Sequence, residues 1–128
     1  MELARNIVGW IEIPVAEMNR AIKFYETVFD YKLERHEMGE LDMAWFPAAD
    51  VPGSPGTLVC HKDFYKPSTD GVLIYFTCMS GDLSNELAKV ESAGGKVLMP
   101  KKLITEEIGY MALCVDTEGN RIALHSRK

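Results

Sequence analysis

Much that would betray a function is missing from this sequence. Its three cysteines form no spaced pair: Cys60, Cys78 and Cys114 each sit alone in an apolar run. That argues against a disulfide framework and predicts reduced, buried thiols in a cytoplasmic protein. Only Cys60 has a basic neighbour to stabilise a thiolate, His61. No apolar run approaches the roughly 18 residues of a membrane span, and the opening "MELARNIVGW" has no signal-peptide apolar core. Clustered basic charge is also absent. The net charge is −5, and Lys101-Lys102 is too short for a phosphate-binding patch and reads as a solvated turn. Nucleic acid and membrane are therefore not the expected partners. What remains is an ordinary globular composition, 47% hydrophobic and 26% charged. Its 128 residues suit one domain, or two small units sharing a core.

Two halves repeat one order of elements. "IVGWIEIPV" alternates Trp10 and Glu12 with Ile11 and Ile13, the period of a strand with one buried face, and Pro14 ends it. From Glu17 a helix is predicted, with Met18, Ala21, Ile22, Tyr25, Val28 and Phe29 in one apolar stripe. "YKLERHE" and "LDMAWFPA" read as strands, "DVPGSPG" as a loop and "TLVCH" as a closing strand. The second half opens with the strand "GVLIYFTC". A helix follows from Ser80-Gly81-Asp82, with Leu83, Leu87, Val90 and Ala93 on one face, and Gly94-Gly95 stops it. "KVLMP", "GYMALCVD" and "RIALHS" complete the half as strands, the last two joined by the turn "TEGN". In that turn Gly119 permits positive φ and Asp116 caps its own backbone.

The expected fold is thus α+β, a single domain over 1–128. Module 1–62 and module 71–128 are each βαβββ, joined by the linker 63–70. A four-stranded sheet with one helix leaves a face uncovered, so two such units are expected to enclose a cleft between curved mixed sheets.

"RIALH" (121–125) lies over "TLVCH" (57–61) at a spacing of 64 residues. Alternation turns Leu58, Cys60, Ile122 and Leu124 toward the helices. It turns Thr57, Val59, His61, Arg121, Ala123 and His125 toward the cleft, with Trp10 and Glu12 from the opening strand. Trp45, Phe46, Tyr75 and Tyr110 are expected to add aromatic surface there, some of it facing the cleft. His36, in a polar segment, is expected at the surface.

Three stretches, "EIPVAEMNRAIKFYETVF", "LAKVESAGGKVL" and "DTEGNRIALHS", resemble the vicinal oxygen chelate superfamily. That superfamily includes glyoxalase I, bleomycin-resistance proteins and extradiol dioxygenases, and the likeness extends over nearly the whole chain. It implies the paired-module fold, frequent homodimers and, in metal-dependent members, one His or Glu from the first and last strand of each module. Carried over, those positions are Trp10, Val59, Val72 and Ala123, none of which offers a metal donor. The resemblance therefore implies a branch without the metal, and no cofactor is expected. Glu12, His61 and His125 each lie one strand repeat, about 7 Å, beyond a lost position.

Three functions follow from these residues. The first is a metal-free protein that binds a small apolar or aromatic molecule, in a pocket of Trp10, Glu12, Val59, His61, Val72, Ala123 and His125. The second is a lyase or isomerase using Glu12, His61 or His125 as acid and base, or a displaced metal on them. The third is a dimeric interaction domain whose cleft is filled. Trp10 is expected either to fill the emptied metal volume or to stack on a ligand. An inward Glu12 needs compensation, with Arg121 or Lys62 as the expected partner.

Overall fold

The computed structural model describes residues 2–128. The elements run β1 (Ile11–Pro14), α1 (Met18–Phe29), β2 (Glu34–Met38), β3 (Leu41–Trp45), β4 (Gly56–Cys60), β5 (Ile74–Thr77), α2 (Leu83–Val90), β6 (Lys96–Thr105), β7 (Gly109–Val115) and β8 (Arg121–Ser126). Two mixed four-stranded sheets result, ordered β1-β4-β3-β2 and β5-β8-β7-β6, with the first and last strand of each module parallel neighbours. The βαβββ order expected of each half is present.

Helix α1 starts where the Glu17 side chain accepts the Arg20 N–H, and it ends at Asp30 in the left-handed region (φ 59°). Its stripe is wider than the expected one: Phe24 is fully buried beside Tyr25 and Val28. Burying an aromatic side chain of this size is worth about 2–3 kcal/mol. α1 and α2 touch each other, and both sheets contribute helix-facing residues to one core. Ile13, Ala44 and Leu58 come from the first sheet, Ala112, Ile122 and Leu124 from the second. Tyr25 and Phe29 reach Phe46 and Phe76, with ring centroids 5.7 Å (Tyr25–Phe46) and 4.9 Å (Phe29–Phe76) apart. At Gly95 a Cβ would sit 2.6 Å from both Phe24 and the Val115 carbonyl oxygen, so only glycine lets α2 turn so closely into β6.

Several expectations need correction. Lys101 and Lys102 are not a turn, because β6 runs on through Pro100 to Thr105. Register shifts on either side of Met99 take up the missing proline N–H and let the strand continue. Lys101 Nζ pairs with Asp82 at 2.9 Å and lies over the Tyr110 ring. His36 is half-buried, its ring stacked 3.8 Å from that of Trp45. The histidines at positions 61 and 125 are not structural counterparts. Val15 N donates to Val59 O where Cys78 N donates to His125 O, which makes Val59 the mate of His125. In the same way Cys60 lies against Ala16 at the start of α1, as Ser126 lies against Leu83 at the start of α2.

The β7–β8 turn does more than reverse the chain. The Glu118 carboxylate, its side chain fully buried, accepts the N–H of Ala16 and Glu17 at 2.9 and 2.8 Å and takes a bidentate pair with Arg20. Asp116 accepts the buried Tyr25 hydroxyl at 2.6 Å and the N–H of Glu118 and Asn120. Asn120 donates to Pro14 O at 2.7 Å. A turn of the second module therefore satisfies the two amides that lead into the first module's helix and places a carboxylate beside its N-terminus.

Burial pushes the Glu118 carboxyl up, but hydrogen bonds from Arg20, Glu17, Thr117 and Ala16 outweigh it and hold it at about 2. A carboxyl lowered on folding stabilises at pH above its ordinary value, and that stability fades as pH falls toward 2. Glu118→Ala should cost about 2–4 kcal/mol in urea unfolding at pH 7. Its stability should also fall less steeply than that of the wild type between pH 5 and pH 3. Equal slopes for the two proteins would contradict this assignment.

Candidate functional site

On β1 the side chains alternate as expected: Ile13 enters the core, and Glu12 points the other way. Neither Arg121 nor Lys62 compensates Glu12. Its carboxylate accepts the Tyr65 hydroxyl at 2.6 Å and faces the Trp10 indole N–H at 3.4 Å. That hydrogen bond to Glu12 pushes the Tyr65 phenol above its ordinary range. Tyr65 belongs to the linker, and no pattern in the sequence signals the contact. Trp10 stands just before β1, 42% exposed and edge-on to Trp45 at 5.7 Å. Trp10, Trp45 and His36 thus form an aromatic row on the open side of the first sheet. Phe46 and Tyr110 pack against the core instead, because their strands turn them toward the helices.

The two histidines lie apart and are occupied. His61 is buried under Phe64, with Nδ1 accepting the Asp63 N–H and Nε2 3.2 Å from Glu40. His125 Nε2 meets the Ile108 carbonyl oxygen at 2.7 Å, at the turn before β7. Val59 and Ala123 are fully buried, and Val72, outside β5, is 86% exposed.

The residues that the resemblance puts at ligand positions, Trp10, Val59, Val72 and Ala123, carry no metal donor. Strand pairing matches Glu12 with Thr57 and Tyr75 with Ala123, so Thr57 stands opposite Ala123 in the repeat. The Thr57 hydroxyl is spent on the Ala44 and Leu58 carbonyls. An indole, aliphatic side chains and an engaged hydroxyl supply no ligand set. Among the described residues no three His, Cys, Asp or Glu side chains cluster as a metal would require.

The concavities lie at the seam between the modules. β1 and β5 are both edge strands and do not pair with each other. One groove of about 370 Å³ lies between β1 and the β5–β8 pair. Its walls are Ile11, Ile13, Pro14, Ile74 and Ile122, with Val72 at the rim and Glu12, Lys66, Ser68, Asn120 and Arg121 as polar groups. Asn120 fixes its floor, donating to Pro14 O and accepting the Ser68 N–H at 3.2 Å. The sequence reading missed Ser68 and Asn120; the asparagine after Gly119 in "DTEGN" was the only available signal. A second, wider hollow of about 640 Å³ is bounded by residues 4–9, the β3–β4 loop and β5.

Comparison with known proteins agrees with this architecture. A family model for the Glyoxalase/Bleomycin resistance protein/Dioxygenase superfamily matches residues 7–124, and the chain belongs to that superfamily. Among solved structures, a glyoxalase/bleomycin-resistance/dioxygenase domain from Frankia sp. EAN1pec superposes with a TM-score of 0.73 at 15% identity, covering 99% of this chain and 100% of that one. TnmS3, an antibiotic binding protein from Streptomyces sp. CB03234, gives 0.68 at 20% identity, with 99% and 100% covered. Glyoxalase I of Zea mays (an E144Q mutant) gives 0.69 at 18% identity. That match covers 93% of this chain but 46% of the maize enzyme, so this chain spans about half its length. A sequence search of curated proteins finds no match.

No thiol in the site is poised for nucleophilic work. Burial pushes Cys78 and Cys114 up to about 12, and Cys60, less buried, is also raised by desolvation. With a disulfide dye at pH 8, Cys60 should react slowly and Cys78 and Cys114 only on unfolding. Three fast thiols in the native protein would refute this packing.

Proposed function

We propose that this protein binds a small, largely apolar molecule in the seam groove and does so without a metal ion. The observation that carries the reading is the groove itself: about 370 Å³, walled by isoleucines from both modules and closed by few polar groups. Sites of that size and character suit fragment-sized ligands. The absence of donors at the family's ligand positions supports the metal-free part. The antibiotic binding of TnmS3 is a property of that protein, and it illustrates a binding role on this fold. Sequestration of an unwanted compound is one use of such a pocket.

The competing enzymatic reading rests on Glu12 as a base. Glu12 is solvent-exposed, and its carboxylate is occupied by the Tyr65 hydroxyl and the Trp10 indole N–H. His61 and His125 sit on other partners, Glu40 and the Ile108 carbonyl, and neither hydrogen-bonds to Glu12. We therefore rank binding above lyase or isomerase chemistry.

Protein freed of metal by a chelator should keep its ligand affinity within about twofold, and should not turn over the glutathione hemithioacetal before or after zinc or nickel is added. A tightly held stoichiometric transition metal in the purified protein, or turnover on metal addition, would overturn the proposal. An apolar ligand in the groove should also change Trp10 fluorescence, because Trp10 touches Glu12 at its edge.

A further inference from the structure

The seam groove contains one group whose chemistry is unfinished. Arg121 begins β8 and contributes to the groove wall. Its Nε is buried and has no hydrogen-bond partner. Among the described residues no carboxylate forms an ion pair with it: the acidic groups pair with Arg20, Lys32, Arg35, His36, His61 and Lys101 instead. A buried guanidinium N–H without an acceptor is unfavourable, and the cost is relieved when an acceptor arrives.

The rest of the lining says what kind of acceptor suits it. Lys66 adds a second positive charge. Glu12 is the groove's one carboxylate, and its oxygens already face the Tyr65 hydroxyl and the Trp10 indole. Two cations against one committed anion leave the groove electropositive. The Ser68 hydroxyl oxygen accepts the Asp70 N–H, which leaves its own hydrogen to donate. Around these groups the surface is aliphatic, from Ile11, Ile13, Ile74 and Ile122.

We infer that the ligand of this groove is a small organic acid. Its carboxylate would lie on Arg121, assisted by Lys66, and its apolar body would lie on the isoleucines of β1, β5 and β8. Guanidinium recognises a carboxylate in a fixed planar fork, and a charge-assisted contact of this kind is about twice as strong as a neutral one. The inference rests on the binding reading given under Proposed function and narrows it from apolar molecules to apolar acids.

Phenylacetate and its neutral isostere phenylacetamide separate the two ideas. Binding is followed by amide NMR shifts of residues 11–14 and 120–122 in the full chain. The wild type should hold phenylacetate at least about tenfold more tightly than phenylacetamide. Arg121→Gln should remove that preference, bringing the two affinities within about twofold of each other. The exposed Lys66→Ala, which leaves the core untouched, should weaken phenylacetate a few-fold. Equal binding of acid and amide by the wild type would overturn the organic-acid inference and leave the apolar groove standing. If neither perturbs the groove at millimolar concentration, while uncharged toluene also fails, the binding reading falls with it. Should Arg121→Gln not fold, the wild-type preference and the Lys66→Ala response still decide the matter.

Discussion

The carboxylate of Glu118 joins the two modules. It lies in the turn between the last two strands, yet its partners are Arg20 and the amides of Ala16 and Glu17 at the entrance to α1, about a hundred residues earlier. A helix start carries partial positive charge, and a buried carboxylate placed beside it is favoured. Asp116 and Asn120 extend the same contact to Tyr25 and Pro14. The consequence is positional. β1 and β5 share no ladder, so their spacing is set by this turn and by the aromatic contacts of Tyr25, Phe29, Phe46 and Phe76.

The two modules do not use this device symmetrically. In the second module a five-residue turn reaches across to α1. In the first, the longer loop between β3 and β4 is mostly exposed and borders the wider hollow beside β5. α2 is served from within its own module, by Asp82, Ser126 and the buried Glu86 bonded to Ser80. One half of the repeat became a fastener and the other stayed open. The seam groove on the fastened side has a defined floor, made where Asn120 ties Pro14 to Ser68.

The repeat, the element order and the core faces were legible because they depend on local periodicity. Met18, Ala21, Tyr25, Val28 and Phe29 are buried as their spacing requires, and Leu58, Ile122 and Leu124 face the helices. Register was less legible. The likeness of "TLVCH" and "RIALH" suggested a 64-residue match, whereas backbone pairing aligns Val59 with His125. A two-residue slip preserves which face each side chain takes, so alternation alone does not detect it. β6 continues past Pro100 because bulges absorb the lost donor, a tertiary accommodation with no local signature. Glu12 was rightly expected to need a partner, but Tyr65 is 53 residues away in an irregular linker. The candidate site moved for the same reason. The seam is made by contacts between modules, and periodicity within a module says nothing about them.

At the groove, residue chemistry and position agree. Aliphatic walls, a Glu12 already bonded to Tyr65 and an Arg121 Nε without an acceptor are the features on which the proposed binding role rests. All of this presumes that the β7–β8 turn fixes where β1 lies. Hydrogen exchange of individual amides in Glu118→Ala, read under native conditions against the wild type, examines that most directly. The account expects the amides of Ala16, Glu17 and Ser68 to exchange much faster, while those of β3 and β7, inside the two ladders, keep their protection relative to global stability. Unchanged protection at Ala16 and Ser68 would mean that the modules are aligned by something other than this turn.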